Sequence, residues 1–263
     1  MKTLPQFPGV IAALSLLSLN AQAGFFDQLN SVAASTNIVA GVPGMAGSVS
    51  SLPEAQVADG LKQALGKGVT AAVGALGHSD GFLTNAEVKI PMPGKLQTVE
   101  NTLRMAGQNQ MADEFVASMN HAAEQAVPVA ANVFVDSIKQ MSIEDAKGIL
   151  AGPDDAATQY FRRTTQTNLY NQFYPIVQKC TGQVGVTAKY KEMMGKFYSL
   201  NTFGTMFGGG SIANLQAVDL DAYVTNKALD GLFKMVADEE KNIRANPVAR
   251  TTDLLKTVFG SGH

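Results

Sequence analysis

Six polar residues on helical segments are the candidates for chemistry: Asn120, Glu124, Thr158, Tyr160, Arg162 and Thr165. Asn120 and Glu124 are four residues apart and flank the apolar stripe of Met111, Phe115, Met119, Ala122 and Ala126. Thr158, Thr165 and Asn168 fall on or beside the face of Phe161, Leu169 and Phe173, while Tyr160, Arg162 and Arg163 add a hydroxyl and two positive charges. A polar group drawn into an apolar interior must find a partner or costs about 1–3 kcal/mol. Such residues have two open uses. One is an internal hydrogen-bond network that fixes helix register; the other is the polar end of a pocket between helices. A third reading, hydrolysis with Glu124 or an Asp as general base near Arg162 or Arg163, needs those groups within hydrogen-bond reach or sharing a water.

The remaining constellations carry less. The stretch from Gly204 to Ser211 looks like a phosphate loop, but Gly210 stands where the lysine belongs and no strand precedes it, so it reads as a connector. His78, His121 and His263 are isolated; His121 with Met111 and Met119 resembles a soft copper set, yet the methionines belong to a core stripe. No Gly-x-Ser-x-Gly occurs, and the single cysteine, Cys180, sits between Val177 and Val184 as a buried, inert thiol. Asp238-Glu239-Glu240 followed by Arg244 reads as a solvated i,i+4 ladder, and Asp154-Asp155 as carboxylates at a helix start. No metal and no cofactor are expected.

These residues must be held by helices. Ser51-Leu52-Pro53-Glu54 has capping-box spacing and opens a stripe of Val57, Leu61, Leu65, Val69 and Val73 that Gly77 and Asp80-Gly81 end. Residues 82–93 alternate briefly through Val88 and Ile90 before two prolines, which predicts an extended connector or a short two-stranded ribbon. From Leu96 onward helical stripes follow in succession, broken at Pro128, at Ser142 and Gly152, kinked at Pro175, and interrupted by the Gly-rich 201–218. Asn246-Pro247 caps a last stripe that ends at Phe259. The prediction is one all-α, bundle-like domain over residues 51–260 with seven to nine helices and a frayed end at 261–263.

The start of the chain reads as an address. Lys2, the apolar run Val10 to Leu19 and the small-x-small Ala21-Gln22-Ala23 form a signal peptide over residues 1–23, with cleavage expected between Ala23 and Gly24. That run is too short to span about 30 Å of hydrocarbon, and no cysteine at the cleavage site could take a lipid. The expectation is an exported, periplasmic protein, not a lipoprotein, with no transmembrane span in the mature chain. Residues 24–50, rich in Gly, Ala and Ser, read as a linker. Over all 263 residues the net charge is −2 and only 16% are charged, which leaves no basic footprint for nucleic acid.

Several segments carry a family likeness: Asp80-Gly81-Phe82, Ile90-Pro91, Met119-Asn120-His121-Ala122-Ala123-Glu124, Ala157-Thr158-Gln159-Tyr160-Phe161, Gly231-Leu232-Phe233, Glu239-Glu240-Lys241-Asn242-Ile243-Arg244 and Pro247-Val248-Ala249-Arg250-Thr251. With Leu61-Lys62-Gln63-Ala64-Leu65 at its start, the chain resembles the bacterial exported helical proteins grouped as domain of unknown function 4197. The resemblance implies export and a helical fold, and it brings no activity and no catalytic residue. The functional expectation is non-catalytic binding of an apolar or amphipathic small molecule in an inter-helix pocket. An envelope protein docked on a helical face or on the 201–218 loop is the alternative, and an envelope hydrolase the second.

Overall fold

A computed structural model describes residues 53–183, 186–205 and 218–245. Within them the chain forms eight α-helices: α1 Glu54–Leu76, α2 Gln97–Met105, α3 Asn109–Ala126, α4 Ala130–Gln140, α5 Ile143–Ala151, α6 Ala156–Gln183, α7 Val186–Thr205 and α8 Leu220–Ala245. The fold is all-α. The signal-peptide and linker readings, Ser51 of the first capping box, most of the Gly-rich stretch, and the stripe after Asn246 lie outside the described residues.

The two long helices α6 and α8 lie against each other, with α1 along α8 and α3 wedged among α6, α7 and α8. Their shared core is aromatic at its centre. Phe134 of α4 meets Phe161 of α6 at 5.1 Å and Phe233 of α8 at 6.1 Å, both edge to face, a geometry that adds to what burial alone supplies. Leu61, Leu65, Val69, Ala72 and Leu76 form the buried stripe of α1. At Gly68 an added Cβ would already touch Glu239 Cβ and Ile243 Cδ1 at 3.4 Å, which shows how closely α8 approaches there.

Local signals set some boundaries. Ser142 and Asp145 cap α5 reciprocally, and Gly152 ends it. Pro128 lies in a 3-10 turn at Val127–Val129 that joins α3 to α4, while α6 continues through Pro175. Asp154 and Asp155 precede α6, whose first residue is Ala156.

The optional ribbon at 82–93 is not formed; among the described residues there is no strand. Phe82, Val88, Ile90 and Met92 are buried, so the alternation was a true burial signal. The backbone groups of Ile90, however, are satisfied by the side chain of Asn120: its N–H donates to Oδ1 at 2.8 Å, and Nδ2 donates to its carbonyl at 2.9 Å. With both groups met from α3, the segment needs no sister strand.

Candidate functional site

The buried polar residues tie irregular backbone to helices. Glu124 accepts from the N–H groups of Phe82 and Leu83 at 3.0 and 3.3 Å through Oε1, and from that of Asp80 at 3.1 Å through Oε2. Asp80 has φ +64°, an unusual conformation for a residue with a side chain, held by that bond and by a 3.1 Å contact of its Oδ1 with His121 Nε2. Asn120, one turn earlier, also donates to Val116 O. The i,i+4 pair read from the sequence therefore forms one two-point fastening for the connector.

Glu240 does the same for a helix end. Its carboxylate accepts from the N–H groups of Ala157 and Thr158 and from Thr158 Oγ1, each at 2.9 Å, at the start of α6, where unpaired N–H groups and the helix dipole favour a negative charge. Arg244 Nη2 donates to Glu240 Oε1 at 2.9 Å and to Ile149 O at 2.8 Å, which joins the end of α5 to the same point. This corrects the reading of Glu240 and Arg244 as a solvated ladder: Glu240 is 4% exposed. Spacing within α8 reveals the pair but not the helix start that lies against it. The cavity beside them measures about 10 Å³, room for about one water.

Thr165 donates to Phe161 O at 2.6 Å, within its own helix. Tyr160 donates to Ser137 O at 3.2 Å, and burial pushes its phenol up from the usual range. The Arg162 guanidinium lies over the Phe233 ring at 4.5 Å and is 3.8 Å from Asp230. The six residues thus fall into separate groups: Asn120 and Glu124 at the connector, Thr158 at Glu240, Arg162 against Phe233 and Asp230 of α8, and Tyr160 with Thr165 facing α4. Glu124 takes three backbone N–H groups while Arg162 and Arg163 engage other partners, so the general-base arrangement finds no geometric support.

Tyr160 and Thr165 do line a cleft. It is an open groove of about 420 Å³ among α4, α5 and α6, with Val133, Asp136, Ser137, Gln140, Asp145, Arg163, Thr164 and Asn168. Through Asp145, Tyr160 and Arg163 it meets a second cleft of about 410 Å³, lined also by Glu144, Gly148, Ile149, Gly152, Pro153, Ala156 and Gln159. Asp145 is held below the usual carboxylate range by hydrogen bonds from the Ser142 hydroxyl and backbone N–H. Arg163 is 3.8 Å from Asp145 and 5.6 Å above the Tyr160 ring, with its side chain 68% exposed. Asp136, Ser137, Gln140, Asp145 and Thr164 escape sequence reasoning because the groove walls come from three elements. For Asp136, Ser137 and Gln140 the one signal is the polar side of the α4 stripe beside Val133 and Ile138.

A third cleft of about 390 Å³ lies over the connector fastening, bordered by His78, His121, Glu124, Gln125 and Pro128. Among the described residues no group of three or more His, Cys, Asp or Glu could hold a metal ion. Cys180 is buried, donates to Gln125 Oε1 at 3.0 Å, and burial pushes its thiol up. No described helix is long and apolar enough to cross a membrane.

Comparison with curated proteins and with solved structures gave no match. The model of one family, described as protein of unknown function (DUF4197), matches residues 51–260, and with most of its length covered the chain belongs to that family.

Proposed function

We propose that this protein is exported and binds an amphipathic small molecule, without catalysis, in the groove among α4, α5 and α6. The observation that carries the reading is the composition of the joined clefts. One is walled by Asp136, Ser137, Gln140, Thr164 and Asn168, and the other by Gly148, Ile149, Pro153 and Ala156. Their size falls in the range of small-molecule sites, and a polar wall continuous with an apolar one suits a ligand with both characters. The buried side chains that fasten the connector and the start of α6 are satisfied within the protein, whereas this groove sets side-chain hydrogen-bonding capacity against open space. The apolar run from Val10 to Leu19 and Ala21-Gln22-Ala23 support the export part.

Gly148 provides the test. A Cβ there meets nothing within 4 Å, so Gly148→Leu would fill the apolar cleft without disturbing the fold. Native mass spectrometry with single-chain amphiphiles should show one bound molecule on the natural protein and none on Gly148→Leu, with equal circular dichroism for both. No adduct on the natural protein, or the same adduct on both, would overturn the reading.

A further inference from the structure

The order of charges along the groove narrows the ligand, on the assumption that the groove binds an amphiphile as proposed above. Asp136 borders the polar cleft alone, and among the described residues its carboxylate has neither a hydrogen bond nor an ion pair. Arg163 borders both clefts, held among the described residues by a 3.8 Å approach to Asp145 and a 5.6 Å approach to the Tyr160 ring. Asp145 is already engaged through both oxygens: Oδ2 accepts from the Ser142 N–H and hydroxyl, and Oδ1 faces Arg163 at 3.8 Å. The second cleft adds the small and apolar Gly148, Ile149 and Ala156, together with Glu144 and Gln159.

From one end to the other, then, the groove presents a free negative charge, a loosely held positive charge and an apolar floor. We infer that the ligand is a single-chain amphiphile whose head carries an ammonium at its outer end and a phosphate between that ammonium and the tail. The ammonium meets Asp136, the phosphate takes the guanidinium donors of Arg163, and the chain lies over Gly148 and Ile149. Arginine suits the middle position because its planar fork binds phosphate through two parallel hydrogen bonds. The reversed order, phosphate outermost, would set the phosphate against Asp136 and away from Arg163, the one cation among the lining residues.

Four decyl amphiphiles, bearing phosphoethanolamine, phosphate, trimethylammonium or maltoside heads, distinguish this proposal from the broader one. They are titrated calorimetrically into the full protein below their micelle-forming concentrations. The phosphoethanolamine head should bind about tenfold tighter than maltoside, since each exposed charge pair contributes up to about fivefold. That advantage should shrink in high salt. Asp136→Asn and Arg163→Gln should each reduce the phosphoethanolamine-to-maltoside ratio by about three- to fivefold, and the trimethylammonium and phosphate probes should each respond to one variant alone. Equal affinity for all four heads, or ratios untouched by both variants, overturns the charge-order proposal while amphiphile binding stands. Absence of binding by every probe overturns both.

Discussion

Glu124 and Glu240 are buried acids that serve as anchors, and their energetics follow from what they hold. Hydrogen bonds to a charged acceptor contribute about 1.5–3 kcal/mol each, and a buried donor left unmatched loses that much. Glu124→Gln keeps the shape but turns an N–H₂ toward a backbone N–H, so urea unfolding should show a loss of about 2–3 kcal/mol. Glu240→Ala strips the start of α6 and leaves Arg244 without its carboxylate, which should cost about 3–5 kcal/mol. Asp145 gives a pH signature. Its folded-state carboxyl is depressed by Ser142, so its contribution is present above the unfolded value and is lost as pH falls through the folded one. The melting difference between the natural protein and Asp145→Asn should therefore be present at neutral pH and fade below about pH 4. At this scale the sequence was legible in part. Polar residues on inner faces could be recognised from periodicity, but their partners, 30 positions away for Asn120 and 41 to 44 for Glu124, could not. Glu240 was misread for that reason, since an i,i+4 rule looks along one helix and its partners lie on another.

The helices were the most legible elements, because stripes such as Leu61, Leu65 and Val69 and the Ser142–Asp145 cap are local. The connector was not, because an extended path buried beside a helix and a strand share the same alternation. Its closeness to the bundle rests on Gly231 of α8: an added Cβ would come within 2.8 Å of Phe82 Cε1 and 3.2 Å of Val88 Cβ. Gly231→Ala should accordingly overpack this contact by about 1–3 kcal/mol, and in a domain of this size lower the melting temperature by several degrees. Asn120→Asp should loosen the connector, since a carboxylate cannot donate to Ile90 O or Val116 O. Hydrogen exchange would report it as faster exchange at Ile90, with little change in α5. Segments that carry the family likeness meet in space at these points. Asp80-Gly81-Phe82 lies on Glu124, Ile90 on Asn120, Gly231 on Phe82, and Ala157-Thr158 on Glu240.

For the whole molecule, the all-α class follows from continuous helical patterning, and the packed arrangement of α1, α3, α6 and α8 agrees with it. The groove was not legible in the same way. Sequence periodicity assigns a residue to the inside or outside of one helix, whereas a cleft arises where the outsides of α4, α5 and α6 converge. Export makes a separate prediction: the protein recovered from the periplasm of an expressing bacterium should begin at Gly24 by intact mass, and recovery with residues 1–23 attached would contradict it. The most direct measurement of the binding account is amide chemical-shift mapping of the protein titrated with decyl phosphoethanolamine. The account predicts saturable shifts clustered at Asp136, Ser137, Gly148, Arg163 and Thr164, with the Glu124 fastening unmoved. Shifts centred on His78 and His121, or none at all, would contradict it.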